Sequence, residues 1–291
     1  MKRPTLDMRV RKDLYLLVDT GAFFYRAMFA MRDFTGEDLK AMIVNNIMEV
    51  LFDYCKAFHT NNLVFLFDST TSKRKAIYPD YKKKRNKNLS PEELDQLNTM
   101  QELRKEFRKV WLPKLGFNNT FVRKGLESDD LIAAITGEWL GDFIILTSDR
   151  DLWQCIAANV RWSSVANGDF VDLRAFQAIT KLKSPTQWVT VKSFGCASDN
   201  VKGIPGVGEP SAIKYIRGEL TGKKLAAVES AEGQAILKRN LRLVKLPFKP
   251  LSLRCETTRF SPSGFGDMCC HFGLKHLHKK VGEWSHHFTK R

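Results

Sequence analysis

Seven carboxylates stand out by position: Asp19, Asp68, Glu127, Asp129, Asp130, Asp149 and Asp151. Three of them fall in Gly125-Leu-Glu-Ser-Asp-Asp-Leu-Ile-Ala-Ala134, at the opening of a run whose apolar positions Leu131, Ile132, Ile135 and Trp139 have helical spacing. One acid or hydroxyl is enough to cap a helix start, and Ser128 or Asp129 would serve. Three acids on one turn repel each other unless a cation lies between them, and oxygen donors of this kind suit hard divalent ions. Two such ions about 3.5–4 Å apart activate a water and steady the leaving oxygen in phosphodiester hydrolysis. A lysine near them, Lys82 or a neighbour, would neutralise charge on the transferring phosphate. No Walker loop is present, and the ligand types do not suit zinc.

The elements that must position these acids are short apolar runs. Leu14–Val18 ends at Asp19, Leu63–Phe67 ends at Asp68, and Phe143–Thr147 leads into Ser148-Asp149-Arg150-Asp151. Continuous apolar runs of this length are typical of strands buried on both faces. The expected fold is therefore α/β, with a central, mostly parallel sheet flanked by helices, and the acids at its carboxyl edge. Asp149 and Asp151 would face the same way in extended chain. Helices are expected over about 40–58 and, from a Ser90 cap with Pro91 and Glu93, over about 91–110 with Leu94, Leu97, Leu103 and Phe107 inward. Phe23, Phe24 and Phe29 read as core, Phe117–Val122 as a further short strand, and Asp169 and Asp172 as structural.

Between these elements the composition shifts. Residues 73–88 hold eight basic residues and one acid, with Tyr78 and Tyr81 interleaved. Basic groups hold phosphates while tyrosines stack on bases, so this run reads as a nucleic-acid contact. Farther on, Gly195-Cys-Ala-Ser-Asp-Asn-Val-Lys-Gly-Ile-Pro-Gly-Val-Gly208 separates two helical stretches. A Gly-rich hairpin between helices grips a duplex backbone through amides and helix ends. Asp199, just before the hairpin, can reach toward the metals.

The net charge of +15 over 291 residues, with 47 Lys and Arg against 32 Asp and Glu, fits a polyanionic partner. No apolar run of membrane-spanning length occurs, and the charged N-terminus lacks a secretory signal, so a cytoplasmic location is expected. Six cysteines without a CxxC or regular spacing read as free thiols. The C-terminal histidines His271, His276, His278, His286 and His287 fit no common zinc spacing, and their segment reads as a solvent-facing or loosely packed helix. The expected organisation is a core over 1–184, including a basic region at about 73–110, and a helical region over 185–291 with its hairpin at about 195–216.

Taken together, LLVDTGAFFYRA, VFLFDST, RKAIYPDYKKKR, GLESDDLIA, IILTSDRDLWQ and SDNVKGIPGVGEPSA resemble the structure-specific 5′-nuclease family. That family includes the 5′-nuclease domain of bacterial DNA polymerase I, the bacteriophage 5′-exonucleases and the flap endonucleases. The blocks run in family order from residue 14 to about 216. The resemblance implies a PIN-like fold with a helical arch and a helix-hairpin-helix-type element. It implies two Mg²⁺, with Mn²⁺ as a substitute. Asp19, Asp68, Glu127 and Asp129 would form the first site; Asp129 and Asp130 would adjoin a second, completed by Asp149, Asp151 and Asp199. Arg74 and Lys82 would handle phosphate at the base of an arch made by residues 82–110, acting in catalysis with Asp68 and Asp129. Tyr81, Lys83, Lys84 and Arg85 would join them on DNA, as would Lys202, Gly203, Gly206, Gly208 and Ser211 in the hairpin, where K⁺ binds in the family. The implied activity is 5′→3′ exonuclease and flap endonuclease action by a monomer on DNA with a free 5′ end, a flap or a nicked duplex. RNA–DNA hybrid is a further implied substrate.

Two positions depart from the pattern. The family usually reads Gly-Asp-x-x-Asp-Asn where this chain has Gly195-Cys-Ala-Ser-Asp-Asn200, so Cys196 stands in place of an aspartate. Losing one hard ligand should weaken the second metal more than the first. Pro210 stands where the family commonly has Lys or a small residue, removing a phosphate contact. The alternatives are a non-catalytic DNA-junction-binding protein derived from a nuclease and an RNA-directed PIN-like nuclease.

Overall fold

A computed structural model describes residues 14–83 and 88–289. Six strands form one sheet in the order β3-β2-β1-β4-β5-β6: β1 Leu14–Asp19, β2 Asn62–Phe67, β3 Thr120–Val122, β4 Asp142–Thr147, β5 Val160–Ser164 and β6 Phe170–Val171. All neighbours are parallel except β5 and β6. The strand order places β1 between β2 and β4, so the three acid-bearing strands are adjacent at the sheet centre. Val18 lies opposite both Phe65 and Leu146 in register. Asp19, Asp68 and Asp149 therefore emerge along one edge, where open α/β sheets bind ligands.

Alternation along the strands feeds two cores. Leu14, Leu16 and Val18 of β1 join Leu63, Phe65 and Phe67 of β2 on one face. Leu17, Val64, Leu66, Phe143 and Ile145 point to the other. The first face is covered by helices Thr20–Ala30, Gly36–Phe58 and Pro91–Glu106 and by the C-terminal helices. The second is covered by Ser128–Glu138 and by the helical segments from Leu173 to Val244. Both cores thus draw on residues from either side of position 184.

Several expectations need adjustment. Phe23 and Phe24 are buried, but Phe29 is 65% exposed, at the far end of its helix. The helix after Ser90 starts with the expected reciprocal cap between Ser90 and Glu93, then widens into a π-helical turn over Phe107–Trp111. It lies against the body through Leu97, Met100 and Leu103, whereas Leu94 faces solvent. The C-terminal segment is well packed: Trp284 is fully buried and stacks on Phe52 with centroids 4.7 Å apart. Four aromatics, Phe260, Phe265, Trp284 and Phe288, interlock there, and their burial outweighs the scattered histidines between them. Among the described residues no helix is long and apolar enough to cross a membrane.

Candidate metal centre

Asp19 closes β1 and caps the helix that follows, its Oδ1 accepting from the Gly21 and Ala22 amides at 3.1 and 3.4 Å. Its Oδ2 accepts from the Thr147 hydroxyl at 2.7 Å, which ties β1 to β4. Ser128 spans the gap to β2: its hydroxyl lies 3.2 Å from Asp19 Oδ1 and 3.1 Å from Asp68 Oδ1, and its amide donates to Asp68 Oδ1 at 3.0 Å. The helix beginning at Ser128 is capped by Glu127 rather than by Ser128 or Asp129. Ser128 and Asp129 are thereby directed at the strand-end acids.

Charge accumulates at this edge. Burial, then the neighbouring Asp68 charge, raises the Asp19 carboxyl above the usual carboxylate range against the pull of Thr147, Ala22 and Ser128. Burial, followed by the charges of Asp149 and Asp19, raises Asp129 further. Asp149 is pushed up to about 7 by burial, then by Asp151. Burial also acts to raise Asp68, but Arg104, the Ser128 amide and Lys82 outweigh it and hold that carboxyl low. A group of convergent oxygen donors whose ionised forms repel each other fits a hard divalent cation, which would relieve that repulsion.

A second group sits beside the first. The ligand atoms of Asp151, Cys196 and Asp199 lie within 4.8 Å of one another. Asp151 does not share an extended segment with Asp149 as expected. Asp149 instead caps a 3-10 turn, Arg150–Cys155, and accepts from the Asp151 amide at 2.8 Å. The turn rotates Asp151 toward Cys196, with Sγ to Oδ2 at 3.8 Å. Lys192 Nζ meets Asp151 Oδ1 at 2.8 Å.

Lys82 and Tyr81 join the two groups. Lys82, in a left-handed backbone conformation (φ 56°), places Nζ 2.8 Å from Glu127 Oε2 and 3.7 Å from Asp199 Oδ1. Its backbone amide donates to the Asp199 carbonyl at 2.8 Å. The Tyr81 hydroxyl lies 2.9 Å from both Glu127 Oε2 and Asp199 Oδ2.

Three expected roles change with these contacts. Arg74 is 2% exposed and makes a forked pair with Asp130 at 2.7 and 2.8 Å, with Nε donating to the Leu243 carbonyl. Its Nε and both Nη atoms are engaged internally and its side chain is buried, so it is not exposed to a phosphate. Asp130 is fully buried and also accepts from the Glu127 and Phe248 amides, which removes it from the metal-facing set. Tyr81 is 2% exposed, packed with Cys196, Val201, Leu243 and Val244, so its ring is not a stacking surface for bases.

The remaining expected DNA contacts divide. Lys83 is exposed and pairs with Asp80; Lys84 and Arg85 lie outside the described residues. The Gly-rich segment joins helices Trp188–Ser193 and Glu209–Ile216, and Lys202, Gly206 and Gly208 are exposed along it. Gly203 serves packing instead: a Cβ there would lie 1.7 Å from the Phe194 carbonyl oxygen. Ser211 is buried and its hydroxyl accepts from Lys224 at 3.3 Å. Residues not anticipated at the site are Ser128, Thr147, Arg104 (3.4 Å from Asp68) and Lys192. Position in the sequence marks two of them: Ser128 lies within the acidic turn and Thr147 closes the third acid-bearing strand.

Residues 14–183 match the family described as 5′–3′ exonuclease, N-terminal resolvase-like domain. A 5′–3′ exonuclease of Aquifex aeolicus is 30% identical over 228 residues, covering 75% of this chain and 72% of that protein. The flap endonuclease Xni of Shewanella amazonensis is 30% identical over 211 residues, covering 65% and 76%. DNA polymerase I of Deinococcus radiodurans is 30% identical over 217 residues, but the match spans only 21% of its length against 71% of this chain. Among solved structures, the bacteriophage T5 D15 flap endonuclease in a complex with DNA and metal ions shares the fold with a TM-score of 0.68 at 20% identity, over 94% of this chain and 99% of that one.

Proposed function

The chain belongs to the 5′–3′ exonuclease and flap endonuclease family, and on that premise we propose that it hydrolyses DNA phosphodiesters at free 5′ ends, flaps and nicks. The observation that carries this reading is the placement of Asp19, Asp68 and Asp149 at the carboxyl ends of three adjacent strands, with Asp129 in the first turn of the helix whose Ser128 bridges Asp19 and Asp68, and Lys82 facing Glu127 beside them. Mg²⁺, or Mn²⁺ in its place, would be held by Asp19, Asp68, Asp129 and Asp149 and would supply an activated water and a stabilised leaving oxygen.

The chain's own residues do the rest. Ser128 and Thr147 hold Asp19 and Asp68 in ligand orientation. Lys82, released from Glu127 when a phosphate arrives, neutralises charge on the transferring group. The oxygen of a water molecule bonds to phosphorus as the P–O3′ bond breaks, and a water proton passes to O3′, leaving a 3′-hydroxyl on one product and a 5′-phosphate on the other. Tyr81 fixes Glu127 against Asp199 and so holds Lys82 in place. Residues 82–110 act as an arch admitting a 5′ end, with Lys83 to Arg85 on its phosphates. Lys202, Gly206 and Gly208 grip the duplex, with K⁺ at that hairpin. RNA primers paired to DNA are a further substrate, and the working form is a monomer.

Single-turnover cleavage of a 5′-labelled flap duplex tests the reading. Lys82→Ala should cut at least tenfold more slowly, about 1.4 kcal/mol of transition-state stabilisation, while binding the duplex as the parent does. Equal cutting by Lys82→Ala would remove its assigned role. The alternative of a non-catalytic junction binder predicts retained duplex affinity with no product from the parent at any Mg²⁺ concentration.

A further inference from the structure

We propose that the Lys192 ammonium is the resident cation of the second acidic group, so that this chain works with one divalent ion rather than two. Helix Trp188–Ser193 delivers Lys192 Nζ to 2.8 Å from Asp151 Oδ1 and 3.9 Å from Glu209 Oε2, with its side chain 15% exposed. Its Nζ lies over the Trp188 ring, 5.5 Å from the centroid, and Trp188 is itself fully buried. The ammonium is therefore built into the site and is not a mobile surface charge. Cys196, four residues on, contributes a neutral thiol where the family pattern has a carboxylate, and that thiol lies 3.0 Å from the Ser198 hydroxyl.

The charges then sort the two groups. Asp151 meets Lys192 at 2.8 Å, and Asp199 lies 3.7 Å from Lys82, whose shorter contact is to Glu127, so the acid of the second group nearest Cys196 carries its own ammonium before any metal arrives. The four acids Asp19, Asp68, Asp129 and Asp149 are met by Arg104, at 3.4 Å from Asp68, and by the longer-range charges of Lys82 and, at Asp149, Lys192. A divalent ion gains most where negative charge is least compensated, which is the first group. To enter the second it must displace an ammonium from a short contact and accept a thiol, a poor ligand for Mg²⁺, in place of a hard oxygen. The loss of an acid at Cys196 and the presence of a lysine on Asp151 act together: both remove the need for a second ion.

The inference rests on the nuclease reading for its role in catalysis, but a count of bound ions tests it separately. Mn²⁺ bound per chain is measured by electron paramagnetic resonance of the free ion, with the intact protein alone and with a 5′-phosphorylated nicked product duplex. The parent should bind one ion in both conditions, Asp151→Asn should still bind one, and Lys192→Met combined with Cys196→Asp should bind two. Two ions on the parent, falling to one in Asp151→Asn, would overturn the proposal. Should the double variant fail to fold, the parent and Asp151→Asn counts decide alone. Two bound ions with flap cleavage would sink the lysine assignment and leave the nuclease reading standing; one bound ion without cleavage would do the reverse.

Discussion

Arg74 and Asp130 form a forked, fully internal pair, with Nη1 to Oδ2 at 2.7 Å, Nη2 to Oδ1 at 2.8 Å and side-chain exposures of 2% and 0%. The pair fastens the start of the basic segment to the helix that carries Asp129. Removing one partner of such a pair leaves a buried charge uncompensated and typically costs about 3–5 kcal/mol, whereas replacing both with apolar groups costs far less. Arg74→Met should therefore lower the urea midpoint strongly, and Arg74→Met with Asp130→Asn, which removes the unpaired charge but keeps an acceptor for the Glu127 and Phe248 amides, should recover part of it. Unchanged stability in Arg74→Met, with lost duplex affinity only, would return Arg74 to the phosphate.

The acidic edge sets a pH dependence of stability in metal-free protein. Asp149 is raised from 3.8 to about 7, by burial first and then by Asp151. Between those values the folded chain binds the proton more tightly than the unfolded one, so this contribution is full below pH 3.8 and is lost as pH rises through about 7. Asp19 and Asp129, also raised, act in the same direction. Thermal unfolding in a chelator should give a lower Tm at pH 8 than at pH 5.5, both values being about a unit or more from the Asp149 transition. Mg²⁺ should raise Tm more at the higher pH, and Asp149→Asn should flatten the slope. A chelated protein whose Tm climbs from the lower to the higher pH contradicts the charge distribution described.

Tyr81 has one proton and two carboxylates at 2.9 Å, Glu127 and Asp199. Tyr81→Phe removes a hydrogen bond to a charged group, an effect of about 1.5–3 kcal/mol, while leaving the buried ring in place. Since Lys82 is held by the same two acids, the expected result is a lower kcat with an unchanged KM for duplex. A rise in KM alone would assign Tyr81 to substrate contact after all.

The two hairpin glycines separate packing from recognition. A Cβ at position 203 would collide with the Phe194 carbonyl, whereas one at 206 meets nothing within 4 Å, although its φ of 74° favours glycine. Gly203→Ala should lower Tm sharply. Gly206→Ala should cost about 1 kcal/mol of stability from backbone strain and weaken duplex affinity in fluorescence anisotropy. Equal Tm losses in both would show that the whole hairpin is structural.

Much of this architecture is legible in the sequence because it rests on local pattern. Leu14–Val18, Leu63–Phe67 and Phe143–Thr147 announce buried strands, and an acid after each announces the functional edge. Residues whose roles changed depend on partners distant in sequence. Arg74 sits in a basic run and looks solvent-facing; only the arrival of Asp130, 56 positions on, buries it. Tyr81 is fixed by Asp199, 118 positions away, and Lys192 by Asp151 across the second group. A charged side chain has the same letter whether it binds a phosphate or neutralises a buried acid. Asp151 moved for a local reason: the Asp149 side chain captures the Asp151 amide and starts a 3-10 turn where extended chain was expected.

The most direct test of the account follows a 5′-labelled flap duplex incubated with the purified parent protein, with Mg²⁺ or with a chelator, alongside Asp68→Asn. The account predicts Mg²⁺-dependent release of the labelled flap, a 5′-phosphate on the remaining strand, and a loss of rate of at least a hundredfold in Asp68→Asn, about 2.7 kcal/mol. Tight binding of the duplex by the parent with no Mg²⁺-dependent cleavage would contradict it.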